Sequence, residues 1–302
     1  GALVSCLKAG DHVGASWALF GSCLYILEEI LPRCGVEVTF VNGLDLAAWE
    51  CAFKSNTKVC FFESISNPNL ELVDIPKVVE IAHSHGALVI VDNVFTTPVF
   101  SKAFEFGVDV VVYSATKHID GQGRALGGVI LGKKEFIRKK VEPYMKHTGG
   151  AMSPFNAWVM LKGLETIELR VKAQARSALK ISQVLEQSSN IRKVIYPGLP
   201  SSEQHNLANE IISGYGTVIT FEFVKGKPAA FKFLNNLEII IISNNLGDAK
   251  SIATHPATTT HKRLTEKQKE DLQISEGLIR LSVGLEDTAD LINDVSSALR
   301  TL

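Results

Sequence analysis

Little in this chain of 302 residues speaks for anchoring, export or covalent stapling. No apolar run approaches the ~20 residues that cross a bilayer, so no membrane span is expected. A basic leader with a small-residue cleavage site is missing too, which predicts no signal peptide. The five cysteines (Cys6, Cys23, Cys34, Cys51, Cys60) are odd in number and never spaced C-x-x-C. That pattern excludes a disulfide framework or a zinc ribbon and fits a reducing cytoplasm. Eight histidines include His83-Ser84-His85 and the pair His255 and His261, but none stands at helical ligand spacing with a carboxylate, so no metal is expected. Charge of one sign is lacking as well: 31 basic against 32 acidic residues leave −1. The basic residues are dispersed, apart from Lys133-Lys134 and Lys139-Lys140 on one expected helix with a solvated face, so neither nucleic acid nor an anionic membrane is an expected partner. The chain does not open on methionine. It begins at Gly1-Ala2-Leu3-Val4, within an apolar helical pattern over residues 1–8, and reads as cut from something longer.

What is present is an alternation of short strands and helices over a length suited to about two domains. Strands are expected at His12–Ser16, Val36–Phe40, Lys58–Phe62, Ala87–Val91 and Val108–Val112. Between them, helices are expected from Phe20 to Arg33, from the cap Asp45 to Phe53, and from Asp74-Ile75-Pro76 to His85. This β-α-β-α-β order predicts the α/β class with a mostly parallel sheet. A long helix is expected from Pro154 to about Gln187, followed by a smaller α/β layer. Its strands are expected at Gly216–Phe223, Leu237–Ile242 and Leu278–Val283, with helices at Pro228–Asn235 and Glu286–Leu302.

Three side chains stand at matching places in that order. Asn67 follows the third expected strand, Asp92 the fourth and Lys117 the fifth, at intervals of about one strand, one helix and their loops. All three should leave one edge of one sheet, where open α/β sheets bind ligands. A partly desolvated lysine there forms Schiff bases readily. Ser114 and Thr116, just before it, offer hydroxyls to a phosphate, and a carboxylate such as Asp92 keeps a pyridine nitrogen protonated. Together they suit pyridoxal phosphate. Each residue alone has a plainer reading: a surface lysine, a loop-capping carboxylate, a turn residue before Pro68.

The stretch Gly121-Gln122-Gly123-Arg124 leads into another strand rather than a helix, which excludes a nicotinamide or flavin loop. Its glycines are expected to turn the backbone tightly and bring it close to the cofactor. In Ile279-Arg280-Leu281-Ser282-Val283, alternation sets Arg280 and Ser282 opposite the apolar residues. Arg280 is therefore either a carboxylate binder or a surface arginine.

With these residues in hand, the chain resembles the transsulfuration family of pyridoxal-phosphate enzymes nearly from end to end. The motifs are Ala9-Gly10-Asp11-His12-Val13, Glu63-Ser64 with Ser66-Asn67-Pro68, Val91-Asp92-Asn93, Ser114-Ala115-Thr116-Lys117, and Ile279 to Asp287. Within the family it looks most like the O-succinylhomoserine sulfhydrylase branch. The pointers are Leu19-Phe20-Gly21-Ser22, His118 to Arg124, and Ser243-Asn244-Asn245-Leu246-Gly247-Asp248 leading to His255–His261.

The resemblance implies fold type I of the pyridoxal-phosphate transferases (aspartate aminotransferase-like). It implies a cofactor-binding large domain over residues 1–165, its N-terminal part missing, and a smaller domain over 166–302. It makes Lys117 the Schiff-base lysine and proton shuttle, Asp92 the partner of the ring nitrogen, and Ser114 and Thr116 phosphate ligands. Phe20 would stack on the ring, Asn67 would lie by the ring oxygen and the substrate carboxylate, and Arg280 would bind that carboxylate with Asn245 beside it. The implied reaction is γ-replacement on an O-acylated homoserine, in a homotetramer built as a dimer of dimers. Phe20 stands where the lyases commonly carry tyrosine, which speaks against elimination. Asn245 replaces the more usual serine and Ile65 a usual proline. The family's N-terminal arm, with a Tyr-x-Arg reaching a neighbouring subunit's cofactor, would lie before Gly1. Other readings stay open: a cystathionine or methionine γ-lyase, a cystathionine γ-synthase, or an inactive fragment serving as a partner subunit. The ester (succinyl or acetyl) and the nucleophile (sulfide or cysteine) are open as well.

Overall fold

The computed structural model describes residues Gly1–Leu302. The chain divides into two units that exchange short stretches. The first gathers Gly1–Asn67, Glu71–Ala115 and Leu126–Trp158, and the second Pro68–Leu70, Thr116–Ala125 and Val159–Leu302.

The first unit is built on six strands: β1 (His12–Ser16), β2 (Glu37–Val41), β3 (Thr57–Glu63), β4 (Leu88–Asp92), β5 (Val110–Ser114) and β6 (Gly128–Gly132). Their spatial order is β2-β1-β3-β4-β5-β6, parallel throughout except for β6, which runs antiparallel to β5. β3 and β4 are apolar on both faces because helices cover both sides of such a sheet. The flanking helices begin where capping carboxylates stand. Asp45 accepts the N–H groups of Ala47 and Ala48, and Asp74 that of Lys77. Ile75–Ser84 then buries Ile75, Val78, Val79 and Ala82 on one stripe.

Two helical stretches contain a π segment, Ile26–Ile30 and Ile137–Val141, and each lies just ahead of a proline, Pro32 or Pro143. A proline lacks the N–H for its own turn and crowds the carbonyl four residues back, so the preceding turn widens. The apolar start does not form the expected helix. Gly1–Cys6 makes turns, with Ser5 N–H bonded to Gly1 O and Cys6 N–H to Leu3 O. A single turn cannot offset the cost of helix nucleation.

The second unit carries β7 (Ile191–Ile195), β8 (Val218–Phe223), β9 (Ile241–Ile242), β10 (Ile252–Thr254) and β11 (Leu278–Ser282), in the order β7-β8-β11-β10-β9. Its core joins Ile219, Phe221 and Phe223 of β8 and Ile279 and Leu281 of β11 to Ala178, Ile181 and Leu185 of helix Ile167–Glu186. Alternation leaves the other face to Thr220, Arg280 and Thr254, side by side across β8, β11 and β10.

Two sequence expectations change here. The long helix is broken into Pro154–Leu164 and Ile167–Glu186, because the carbonyl of Gly163 accepts the Arg170 guanidinium at 2.8 Å. The strand expected over Leu237–Ile242 shrinks to Ile241–Ile242. The Asp294 carboxylate accepts the N–H groups of Glu238, Ile239 and Ile240 at 2.8, 3.1 and 3.0 Å, and so takes the donors a ladder would need. Strands β7 and β10 and helices His205–Ile211 and Glu266–Asp271 were not expected.

Candidate active site

In the first unit, the carboxyl ends of β3 and β4 place Glu63 directly beside Asp92. Asp92 Oδ1 accepts the N–H of Val94 at 3.1 Å. Glu63, only 5% exposed, accepts two N–H groups from different loops: Phe20 on Oε1 at 2.7 Å and Asn67 on Oε2 at 3.1 Å. The Cys23 sulfur joins them, all three ligand-type atoms lying within 4.8 Å of one another. Burial pushes Asp92 up to about 6. Burial pushes Glu63 well above the carboxylate range, and the neighbouring Asp92 charge adds to the rise. Two carboxyl groups this close cannot both ionise cheaply, so they titrate as a pair and hold on to a shared proton more tightly than a lone carboxyl would. Burial also raises the Cys23 thiol well above its ordinary value, and the Asp92 and Glu63 carboxyls add to the rise, which disfavours the thiolate. The Phe20 ring is 42% exposed, offering a flat face, while Asn67 is buried. Ser114 closes β5, half-buried.

In the second unit, Lys117 Nζ donates to Asn245 Oδ1 at 2.6 Å. Burial, and then the positive charge of Arg280, lower its pKa to about 8. A neutral amide holds this amine, with no carboxylate to keep it charged. Arg280 is 1% exposed, which rules out the surface reading. Its Nη2 donates to the carbonyls of Asn244 and Asn245 at 2.9 and 3.2 Å, and burial brings its pKa down to about 10. Asn245 thus serves both cations, the amine through its side chain and the guanidinium through its backbone. Thr116, half-buried, precedes Lys117 in the same unit.

The glycine expectation is corrected in part. Gly121 (φ +69°) does turn the backbone tightly, but the group that approaches it is the Arg170 guanidinium, which any Cβ there would overlap. Gly123 (φ +65°) lies against the Asp248 carboxylate.

The structure adds Glu63, Arg170 and Gln174, for which no role is expected from the sequence. Glu63 is legible in hindsight as a charge closing the apolar run Val59-Cys60-Phe61-Phe62, one strand over from Asp92. Arg170 and Gln174 had no such signal, since both look like ordinary polar positions of a long helix.

The donor set fits a pyridoxal-type cofactor. Each unit carries part of what such a group requires: the first a carboxylate, a strand-end hydroxyl and an exposed aromatic face, the second an amine of lowered proton affinity with a hydroxyl beside it.

Comparison with known proteins agrees. The pattern of the Cys/Met metabolism PLP-dependent enzyme family matches residues 1–300. O-succinylhomoserine sulfhydrylase of Mycobacterium tuberculosis is 52% identical over 97% of this chain and 73% of its own length. The enzyme of that name from Pseudomonas aeruginosa is 45% identical over 99% of this chain and 74% of its own length. L-methionine gamma-lyase of Porphyromonas gingivalis is 39% identical over 98% and 75%. Among solved structures, cystathionine gamma-lyase from Lactobacillus plantarum with L-serine superposes with a TM-score of 0.95 at 30% identity, covering 99% of this chain and 78% of that one. A putative O-acetylhomoserine (thiol)-lyase from Campylobacter jejuni, carrying a pyridoxyl-lysine phosphate, gives 0.94 at 32% identity, covering 99% and 79%. Sheet, donor set and sequence agree from one end to the other: the chain belongs to the Cys/Met metabolism PLP-dependent enzyme family, and its cofactor is pyridoxal 5'-phosphate.

Proposed function

We propose that this enzyme replaces the acyl group of an O-acylhomoserine, O-succinylhomoserine in the first instance, with sulfide to form homocysteine for methionine biosynthesis. The observation that carries the reading is the Lys117 amine, held by the Asn245 amide beside buried Arg280. Replacement rather than elimination is supported by the sulfhydrylases at 45–52% identity and by Phe20, which has no hydroxyl to move a proton.

When bound, the cofactor supplies an electron sink that stabilises negative charge at the substrate's carbons. Lys117 would anchor it and, as a free amine, would take the Cα proton and shuttle protons at Cβ. An amine with a pKa of about 8 exchanges protons readily near neutral pH. Asp92 would hold a proton on the ring nitrogen. Ser114 and Thr116 would hold the phosphate, and Phe20 would offer its face to the ring. Asn67 would help hold the cofactor and, with Arg280 and Asn245, would orient the substrate carboxylate. The acyl group leaves from Cγ as a carboxylate, and sulfide adds there.

The large domain over residues 1–165 holding the cofactor, the smaller one over 166–302, a cytoplasmic location and a homotetramer belong to the same proposal. No helix is long and apolar enough to cross a membrane. Phe155 and Trp158, 69% and 56% exposed on one helix, are the kind of surface that a second subunit covers. A monomer in light scattering would refute the assembly.

The γ-lyase reading is favoured by one observation, the methionine γ-lyases at 37–39% identity. Purified protein titrated with pyridoxal phosphate should develop a visible band that Lys117→Ala lacks. O-succinylhomoserine with sulfide should then yield homocysteine. Equal turnover to α-keto acid and ammonia without sulfide would replace this reading with elimination, and no band in the unsubstituted protein would leave the inactive-fragment reading in its place.

A further inference from the structure

Helix Ile167–Glu186 buries Arg170, Gln174 and Ser177 at spacings of four and three, on one face. Arg170 directs both terminal nitrogens at backbone. Nη1 reaches His118 O at 2.9 Å, Nη2 reaches Gly163 O at 2.8 Å and Ile119 O at 3.4 Å, and Nε reaches Thr166 Oγ1 at 3.1 Å. His118 and Ile119 are the two residues after Lys117. One turn along, Gln174 Nε2 donates to Asp248 O at 2.7 Å, three residues past Asn245. The two loops are also laced together: Ala249 N–H donates to Gly121 O at 2.8 Å, and at Gly247 a Cβ would stand 2.8 Å from the His118 nitrogen. His118 Nε2 and Thr217 Oγ1 are 2.8 Å apart. One helix face therefore fastens both loops whose tips meet in the Lys117–Asn245 hydrogen bond. A buried guanidinium and a buried amide are expensive substitutes for leucine, but the rigid fork of arginine holds three carbonyls at fixed angles as no apolar side chain can.

We propose that Arg170 and Gln174 are positioning residues for the reaction, holding the Lys117 loop and the Asn245 loop in the register that places the amine on the amide oxygen. This rests on the reading of Lys117 as the reacting lysine, and it deepens that reading. Neither residue touches the reacting atoms; both act through backbone. A loosened loop lets water reach the amine and moves it away from Arg280, and both effects return it toward an ordinary lysine.

The test uses the cofactor-free protein, so its outcome does not depend on the cofactor assignment, which Lys117→Ala and the visible band decide separately. Trace acetylation across pH, read by peptide mass spectrometry, gives the midpoint at which the Lys117 amine becomes reactive. The unsubstituted protein should show about 8. Arg170→Lys, whose ammonium cannot span three carbonyls, and the milder Gln174→Met should each raise it by about one unit or more, toward 10.4. In the loaded enzyme, kcat should fall several-fold with KM little moved. Leu185→Ala, in the core of the same helix, is the control for lost stability and should leave the midpoint unchanged. If Arg170→Lys and Gln174→Met shift the midpoint no further than Leu185→Ala does, the two residues are merely structural and the proposal is overturned.

Discussion

Asp92→Asn should stabilise the cofactor-free protein while abolishing its function. In the fold, burial lifts this carboxyl from an ordinary 3.8 to about 6. A group whose folded pKa is raised binds its proton more tightly in the native state, so its contribution to stability is fully present below pH ~4 and is lost as pH rises through about 6. At about 1.4 kcal/mol per pKa unit the loss is about 3 kcal/mol above that window. Asparagine matches the shape, its oxygen can still accept the Val94 N–H, and its amide can donate to Glu63, which also relieves that buried acid. Thermal or urea melts at pH 4 and pH 8 compare the two proteins directly. At pH 8 the variant should gain up to about 3 kcal/mol, or roughly 6–12 °C for a cooperative unit of 150–250 residues. At pH 4 the two should coincide. The variant should keep the visible band, which depends on Lys117, but lose turnover, since a neutral amide cannot hold a proton on the ring nitrogen. A gain of equal size at both pH values, or none at pH 8, would show that the carboxyl carries no ionisation penalty and would sink the argument.

Arg280→Ala should raise KM for the amino acid about 10- to 100-fold, the worth of one or two charge-assisted hydrogen bonds, with kcat little changed; an unmoved KM would place carboxylate recognition elsewhere. Capture of pyridoxal phosphate by the cofactor-free protein needs the neutral Lys117 amine, so its rate should climb through pH ~8 and level off above. Arg280→Leu should shift that profile upward by removing the charge that depresses the amine, as followed by stopped-flow absorbance. Away from the site, Asp45→Ala deletes the side chain that caps Leu46–Ala52 and should cost about 1 kcal/mol in denaturant titration.

Much of the fold could be read in advance because its signals are local. Alternating or fully apolar runs gave β1, β3, β4, β5, β8 and β11, and Asp45, Asp74 and Pro76 marked helix starts. What escaped depends on distant partners. No feature of Leu237–Ile242 announces that Asp294, more than fifty residues later, will occupy its N–H groups. Nor does the run from Pro154 show that Gly163 will surrender its carbonyl to Arg170. The same holds at the site. Lys117, Asp92 and Arg280 lie at or just after strand ends or alternate along a strand, and that rhythm exposed them. Arg170 and Gln174 act on backbone from within an ordinary-looking helix, where periodicity carries no message about what the buried polar atoms touch.

The loop Thr116–Ala125 belongs with chain that follows it, and this fixes an order of events during synthesis. A ribosome releases Lys117 long before Arg170, Thr217 and Asn245 exist. Strands β1 to β5 can pair as they emerge, whereas the amide oxygen that receives the amine arrives only with the last third of the chain. A nascent chain stalled before residue 245 would therefore carry the lysine without the amide oxygen that receives it.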